Sequence, residues 1–175
     1  GTIPPNIFIP LAEESDFINE IGTWVMLNAT QKFMSDEINN DLWLSVNVSA
    51  RQFRVNNFID VITDVLKASG LQSNRLKLEI TEGLLLTDEF DVVAKFNQIK
   101  ELGVRIAIDD FGTGYSALSY LKKFPVDTLK IDREFIMDIV TDAKSAALAI
   151  SVIQMATHLD LDVIVEGVEL EEQLT

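Results

Sequence analysis

Short apolar runs rich in β-branched residues alternate along this chain with longer stretches of helical period. The runs are Leu42 to Val48, Arg75 to Ile80, Val104 to Ile108, Thr128 to Ile131 and Val163 to Val165. They predict five strands. Between and before them the spacing predicts helices over Ser15 to Met34, Val55 to Ser69, Asp88 to Leu102, Ser116 to Lys122 and Arg133 to Leu159. Turn chemistry marks several ends. Asn56 or Asn57 can open the second helix and Gly70 close it; Thr87 or Asp88 can open the third and Gly103 close it. Strict alternation of strand and helix implies parallel strands joined by crossover helices, hence an α/β fold. The chain reads as one domain over residues 1–175, with no internal repeat or low-complexity linker.

An open doubly wound sheet and a β/α barrel both accommodate five such strands. No strand is followed by a glycine-rich dinucleotide or phosphate-binding turn, which open sheets often carry. Every strand instead ends in side chains capable of chemistry, and barrels build their sites at the C-terminal ends of the strands. In order these are Asn47 and Ser49, then Glu79, Thr81 and Glu82, then Asp109 and Asp110, then Lys130 and Asp132, then Glu166 and Glu169. The expected fold is therefore a modified TIM-type β/α barrel, incomplete in these residues.

Composition narrows the chemistry. The 14 Lys and Arg against 28 Asp and Glu give a formal net charge of -14, which argues against a nucleic-acid polymer or an anionic membrane as partner. A phosphate-bearing small molecule stays open if bound cations reverse the local sign. With no cysteine, disulfides, thiolate metal sites and cysteine nucleophiles are excluded. No apolar run reaches the roughly 18 residues that span a bilayer, and no signal-peptide pattern opens the chain, so a cytoplasmic location is the default expectation, with any anchor in segments not included. Carboxylates, one amide oxygen and no nearby His form a hard, all-oxygen donor set. It suits Mg²⁺ or Mn²⁺, suits Ca²⁺ less well, and does not suit zinc or copper. Adjacent Asp109 and Asp110 could serve two ions, the usual device for in-line attack on a phosphodiester. Lys130 then orients or deprotonates the attacking water, or supports phosphate charge.

The same residues carry a family pattern. Asn47-Val-Ser49 with Ala50-Arg51-Gln52-Phe53, Glu79-Ile-Thr-Glu82, Asp109 through Ser116, Leu129 through Asp132, and Glu166-Gly167-Val168-Glu169 resemble the EAL domain in order and spacing. The opening Gly1 to Pro5 and Phe8 to Glu13 also resemble the stretch that follows the family's name-giving motif. The resemblance implies hydrolysis of cyclic di-GMP to linear pGpG with Mg²⁺ or Mn²⁺. It makes Asn47, Glu79, Asp109, Asp110 and Glu166 metal ligands and places Lys130 at the hydrolytic water. Glu82 becomes the glutamate that holds the loop after the third strand, and Glu169 a supporting acid. Asp109 to Ser116 is that loop, with Phe111, Gly112, Thr113, Gly114, Tyr115 and Ser116 facing substrate or shaping it. The resemblance further implies a homodimer through this loop and the following helix, and sensory or GGDEF domains in the parent chain. Gly83 and Val165 depart from the family's common serine and alanine, and neither removes a ligand. The Glu-Ala-Leu segment is expected before Gly1 and a Gln-Gly strand after Thr175. On that expectation the parent domain is a phosphodiesterase and these 175 residues alone are inactive or nearly so. The alternative is a catalytically silent cyclic di-GMP receptor. His158 and the Lys122–Lys123 pair read as surface groups, and Trp24 and Trp43 as core packing.

Overall fold

A computed structural model of the chain describes residues 3–36, 41–86, 89–112 and 121–174. The elements are α1 (Pro5–Glu14), α2 (Ile18–Ser35), β1 (Leu44–Val48), α3 (Ala50–Arg54), α4 (Phe58–Ser69), β2 (Leu76–Thr81), α5 (Glu89–Glu101), β3 (Arg105–Phe111), β4 (Thr128–Ile131), α6 (Ala143–His158) and β5 (Asp162–Val165). The five strands form one sheet, parallel as the alternation predicts, in the chain order β1-β2-β3-β4-β5 that a barrel wall requires. Each crossover returns the chain to the same end, so all strand C-termini share one rim. This is a β/α barrel wall that does not close within these residues.

Side-chain alternation sets the two faces of the wall. On β2, Leu76, Leu78 and Ile80 are fully buried and join the main core with Ile106, Ile108 and Leu129. The helices cover this face, with Phe53, Ile62 and Phe96 at zero exposure. Phe53 meets Phe58 and Phe96 at centroid distances of 5.7 and 5.3 Å, the tilted and edge-on geometries aromatic rings prefer. The alternate residues Lys77 and Glu79 turn to the opposite face, the inside of the barrel wall. Register aligns Asn47 with Glu79 and Thr81 with Asp109, so the polar ends lie side by side.

Several local expectations are corrected. The helix expected over Ser15 to Met34 is two helices. Prolines at positions 4 and 5 open α1, Pro10 is tolerated inside it, and Asp16 at φ 61° breaks the chain before α2. The helix expected over Arg133 to Leu159 is interrupted as well. Asp132 accepts from the Glu134 N–H and starts a 3₁₀ turn over Arg133–Phe135, whereas Asp142 accepts from Lys144 and Ser145 and starts α6 anew. Ahead of α4, Ser49 caps a separate five-residue helix through the Gln52 N–H, so α4 opens at Phe58 rather than Val55. Gly70 and Gly103 end α4 and α5 at positive φ as expected. Thr87, Asp88 and most of the Ser116 to Lys122 helix lie outside the described residues.

Neither tryptophan is in the core. Trp24 is 65% exposed on α2 and Trp43 51% exposed just before β1. Trp43 instead packs under cations, with Arg105 4.7 Å and Lys77 5.7 Å from its ring centroid. Lys122, Lys123 and His158 are exposed, His158 with Nδ1 2.6 Å from the Gln154 carbonyl.

A buried cation ties α5 to the end of α3, the short helix that follows β1. Lys95 on α5 donates to the carbonyls of Phe53 and Arg54 at 3.0 and 2.9 Å and to that of Val55 at 3.3 Å, satisfying the end of α3. Lys95→Met keeps the stem and removes all three donors. It is expected to cost about 2–4 kcal/mol, read as a lower urea midpoint at unchanged slope.

Candidate active site at the strand C-termini

The rim of the sheet gathers acids from β2, β3 and the end of β5 around one ammonium on β4. Lys130 Nζ on β4 lies 2.8 Å from Glu79 Oε2 on β2, 2.9 Å from Asp109 Oδ1 on β3 and 2.8 Å from Glu166 Oε1 just after β5. The lysine and Glu79 side chains are each 10% exposed, while Glu166 is 40% exposed at the open side. Burial acts to lower the lysine, but the bonds from Asp109, Glu166 and Glu79 outweigh it and hold the ammonium above its ordinary value. Nζ is therefore a charged donor with three anionic acceptors.

Asp110 lies beside this cluster at φ 54°, with its N–H donating to Asp109 Oδ1 at 3.1 Å. Its carboxyl is pushed above its ordinary value, first by burial and then by the charges of Asp109, Asp132 and Glu166, with Lys130 pulling the other way. Negative charge at the rim thus exceeds what one lysine neutralises. Asn47 is on β1 next to Glu79, and both line a cavity of about 470 Å³ between the sheet edge and α1–α2. Glu82 is 3% exposed and its Oε2 accepts the Gly112 N–H at 2.9 Å, tying the turn after β2 to the end of β3.

The structure thus brings Glu79, Asp109, Lys130 and Glu166 into direct contact, sets Asp110 against them and places Asn47 beside Glu79. Ser49 and Asp132 are helix and turn caps. Glu169 is exposed, and its backbone N–H donates to Gln173 Oε1 at 2.8 Å. Phe111 is buried, whereas Thr113, Gly114, Tyr115 and Ser116 lie outside the described residues. Sequence reasoning named Asp132 among the strand-end groups without giving it a role; its charge acts on Asp110. Its spacing of two from Lys130 was the available signal. Sequence reasoning passed over Gly112 and Gly167 as close-approach points for the turn after β4, which needs the fold to be seen.

The residues fit a hard divalent cation. Their donors are all oxygen, they come from rigid strand ends, and their charge is in surplus. Among the described residues no three acids already stand at the mutual distances that would hold one ion; here they are arranged around the ammonium instead.

A parallel β/α barrel wall with its acids and a lysine collected at the strand C-termini defines a barrel domain whose site is at the usual rim. The chain belongs to the EAL domain family, whose model matches residues 1–175. Among curated relatives, the cyclic di-GMP phosphodiesterase NbdA of Pseudomonas aeruginosa is 38% identical over 176 residues, covering 99% of this chain and 22% of that protein. Signaling protein YkoW of Bacillus subtilis is 42% identical over 167 residues, covering 95% of this chain and 21% of that protein. Among solved structures, the PaMucR phosphodiesterase in complex with c-di-GMP matches with a TM-score of 0.93 at 38% identity, over 99% of this chain and 71% of that one. The EAL domain of Mycobacterium smegmatis DcpA matches with a TM-score of 0.83 at 35% identity, over 89% of this chain and 71% of that one. The chain spans 28% or less of the length of the curated relatives it matches. No helix among the described residues is long and apolar enough to cross a membrane.

Proposed function

We propose that the protein containing this segment hydrolyses cyclic di-GMP to linear pGpG with Mg²⁺ or Mn²⁺. The observation that carries this reading is the Lys130 ammonium held by Glu79, Asp109 and Glu166 at the barrel rim. NbdA, named as a cyclic di-GMP phosphodiesterase, and PaMucR, solved with c-di-GMP, support the substrate. Asn47, Glu79, Asp109, Asp110 and Glu166 would hold the ions. When bound, such a pair supplies charge neutralisation at the scissile phosphate and makes water a competent nucleophile near neutral pH.

The chain's own groups do the rest. Lys130 donates from Nζ to the attacking water or to a phosphate oxygen, stabilising charge that grows as the new P–O bond forms. The P–O3′ bond breaks on the opposite side, and the 3′ oxygen leaves with a proton from solvent. One water is consumed, one ring-closing ester bond is opened, and the product is linear with a 5′ phosphate. Glu82 fixes Gly112, and through it the backbone of Asp109 and Asp110.

The full-length protein incubated with cyclic di-GMP and Mg²⁺ is expected to release pGpG, and chelation with EDTA to stop it. Binding without turnover would overturn hydrolysis in favour of a cyclic di-GMP receptor.

A further inference from the structure

Asp109 and Asp110 are consecutive residues of a strand, so regular pleating would send their side chains to opposite faces. The ladder shows how both reach the rim. Between β3 and β4, Ile108 pairs with Leu129 and Phe111 with Ile131, so three steps on β3 face two on β4. The extra residue is a β-bulge, with Asp110 at positive φ inside it.

Two groups brace this bulge at its exit, Gly112. From the β2 side, Glu82 takes the Gly112 N–H. From the β4 side, the ring of Phe135 packs so close to Gly112 that a Cβ there would collide with Cε2 and Cζ. Gly112 also has φ 101°, a region that disfavours side-chain-bearing residues. Phe135 ends the 3₁₀ turn that Asp132 caps, just after the strand that carries Lys130. The start of the same turn is pinned from β5, where a Cβ on Gly167 would collide with Arg133. The turn is thus wedged between the segments after β3 and β5, which adjoin Asp109 and Glu166, two of the three acids that Lys130 holds.

We propose that Phe135 is a positioning residue for the acidic site: wedged against Gly112, it sets the bulge that turns Asp110 to the same rim as Asp109. It makes no contact with reacting atoms and acts through the Gly112 backbone. This inference rests on the metal-site reading given above.

The test is Mn²⁺ binding by the full-length protein, followed by the paramagnetic resonance of the free ion, beside melting temperature and cyclic di-GMP turnover. Phe135→Ala is expected to weaken Mn²⁺ binding about tenfold, as loss of a supporting group around metal ligands does. Phe135→Leu, which refills part of the volume, is expected to recover part of that loss and to bind about threefold more weakly than wild type. Phe135→Ala that melts lower yet binds Mn²⁺ within about twofold of wild type marks a packing role only and overturns the proposal. If the alanine variant does not fold, Phe135→Leu decides: Mn²⁺ binding weaker by about threefold supports the proposal, and unchanged binding overturns it. A wild type that binds Mn²⁺ without hydrolysing cyclic di-GMP overturns the hydrolysis reading alone and leaves this comparison intact.

Discussion

Lys130→Met is expected to lower turnover about 10²–10³-fold and to destabilise the metal-free domain by about 3 kcal/mol. Both effects follow from one geometry. The ammonium is 2.8–2.9 Å from three carboxylates, two of them on side chains only 10% and 14% exposed. Methionine preserves the stem but leaves Glu79 and Asp109 facing each other without a counter-ion, and a buried charge stripped of its partner is strongly destabilising. Glu166 contributes less, because its 40% exposure lets water screen it.

Two controls separate this from general damage. Added Mn²⁺ is expected to restore more stability to the variant than it adds to wild type, since a cation then replaces the lost one among the same oxygens. Turnover is not expected to return, because the donor to water or phosphate is gone. The pH dependence has a definite sign. The folded lysine titrates above its ordinary value, so its stabilisation is complete below the unfolded lysine value of about 10.4 and is lost only as pH rises through the folded one. The stability gap between wild type and variant, measured by urea unfolding, should be flat between pH 7 and 9 and close only in strong alkali. A gap that vanishes near neutrality would refute the assignment of the ammonium as the counter-ion.

The parallel sheet was legible because strand and helix alternate and β2 states its period so clearly. Leu76, Leu78 and Ile80 alternate with Lys77 and Glu79, and helical stretches separate this run from its neighbours. The site's membership was legible for a related reason: in parallel strands of similar length, the last polar residues share a rim. What the sequence did not disclose depends on contacts between distant segments. The bulge at Asp109–Asp110 exists only relative to β4, so its register shift has no local signature. Pro10 argues against a helix that Pro4 and Pro5 nonetheless open. Asp142 resembles any surface acid until it accepts from Lys144 and Ser145 and divides one expected helix from a turn. The tryptophans misled for a simple reason. Size and helical spacing suggested burial, but Trp24 lies on the outward face of α2 and Trp43 precedes its strand, where Arg105 and Lys77 cover the ring.

Asp109→Asn is the sharper test of the site, because it removes a charge and almost nothing else. Asparagine keeps one oxygen that can accept from the Asp110 N–H, now 3.1 Å from Oδ1, so the bulge should survive and the melting temperature should change little. Lys130 keeps Glu79 and Glu166 as anionic acceptors. The change does remove one anionic oxygen donor from the set proposed to bind the ions, on the strand between Glu79 and Lys130. Turnover of cyclic di-GMP is expected to fall by about 10³-fold or more, with substrate binding far less affected, since the lost group acts on charge that develops during reaction. Raising Mn²⁺ is expected to recover only part of the loss, because occupancy can be restored but the ion's placement cannot. The decisive contrast is with Asp64→Asn, an exposed acid on α4 outside the Lys130 cluster, which should leave turnover near that of wild type. If the two variants lose equally, the Lys130-centred cluster is not where the phosphodiester is attacked. If Asp109→Asn retains full metal-dependent turnover, Asp109 is only a structural partner of the lysine, and the site must be rebuilt around Asp110 and Glu166.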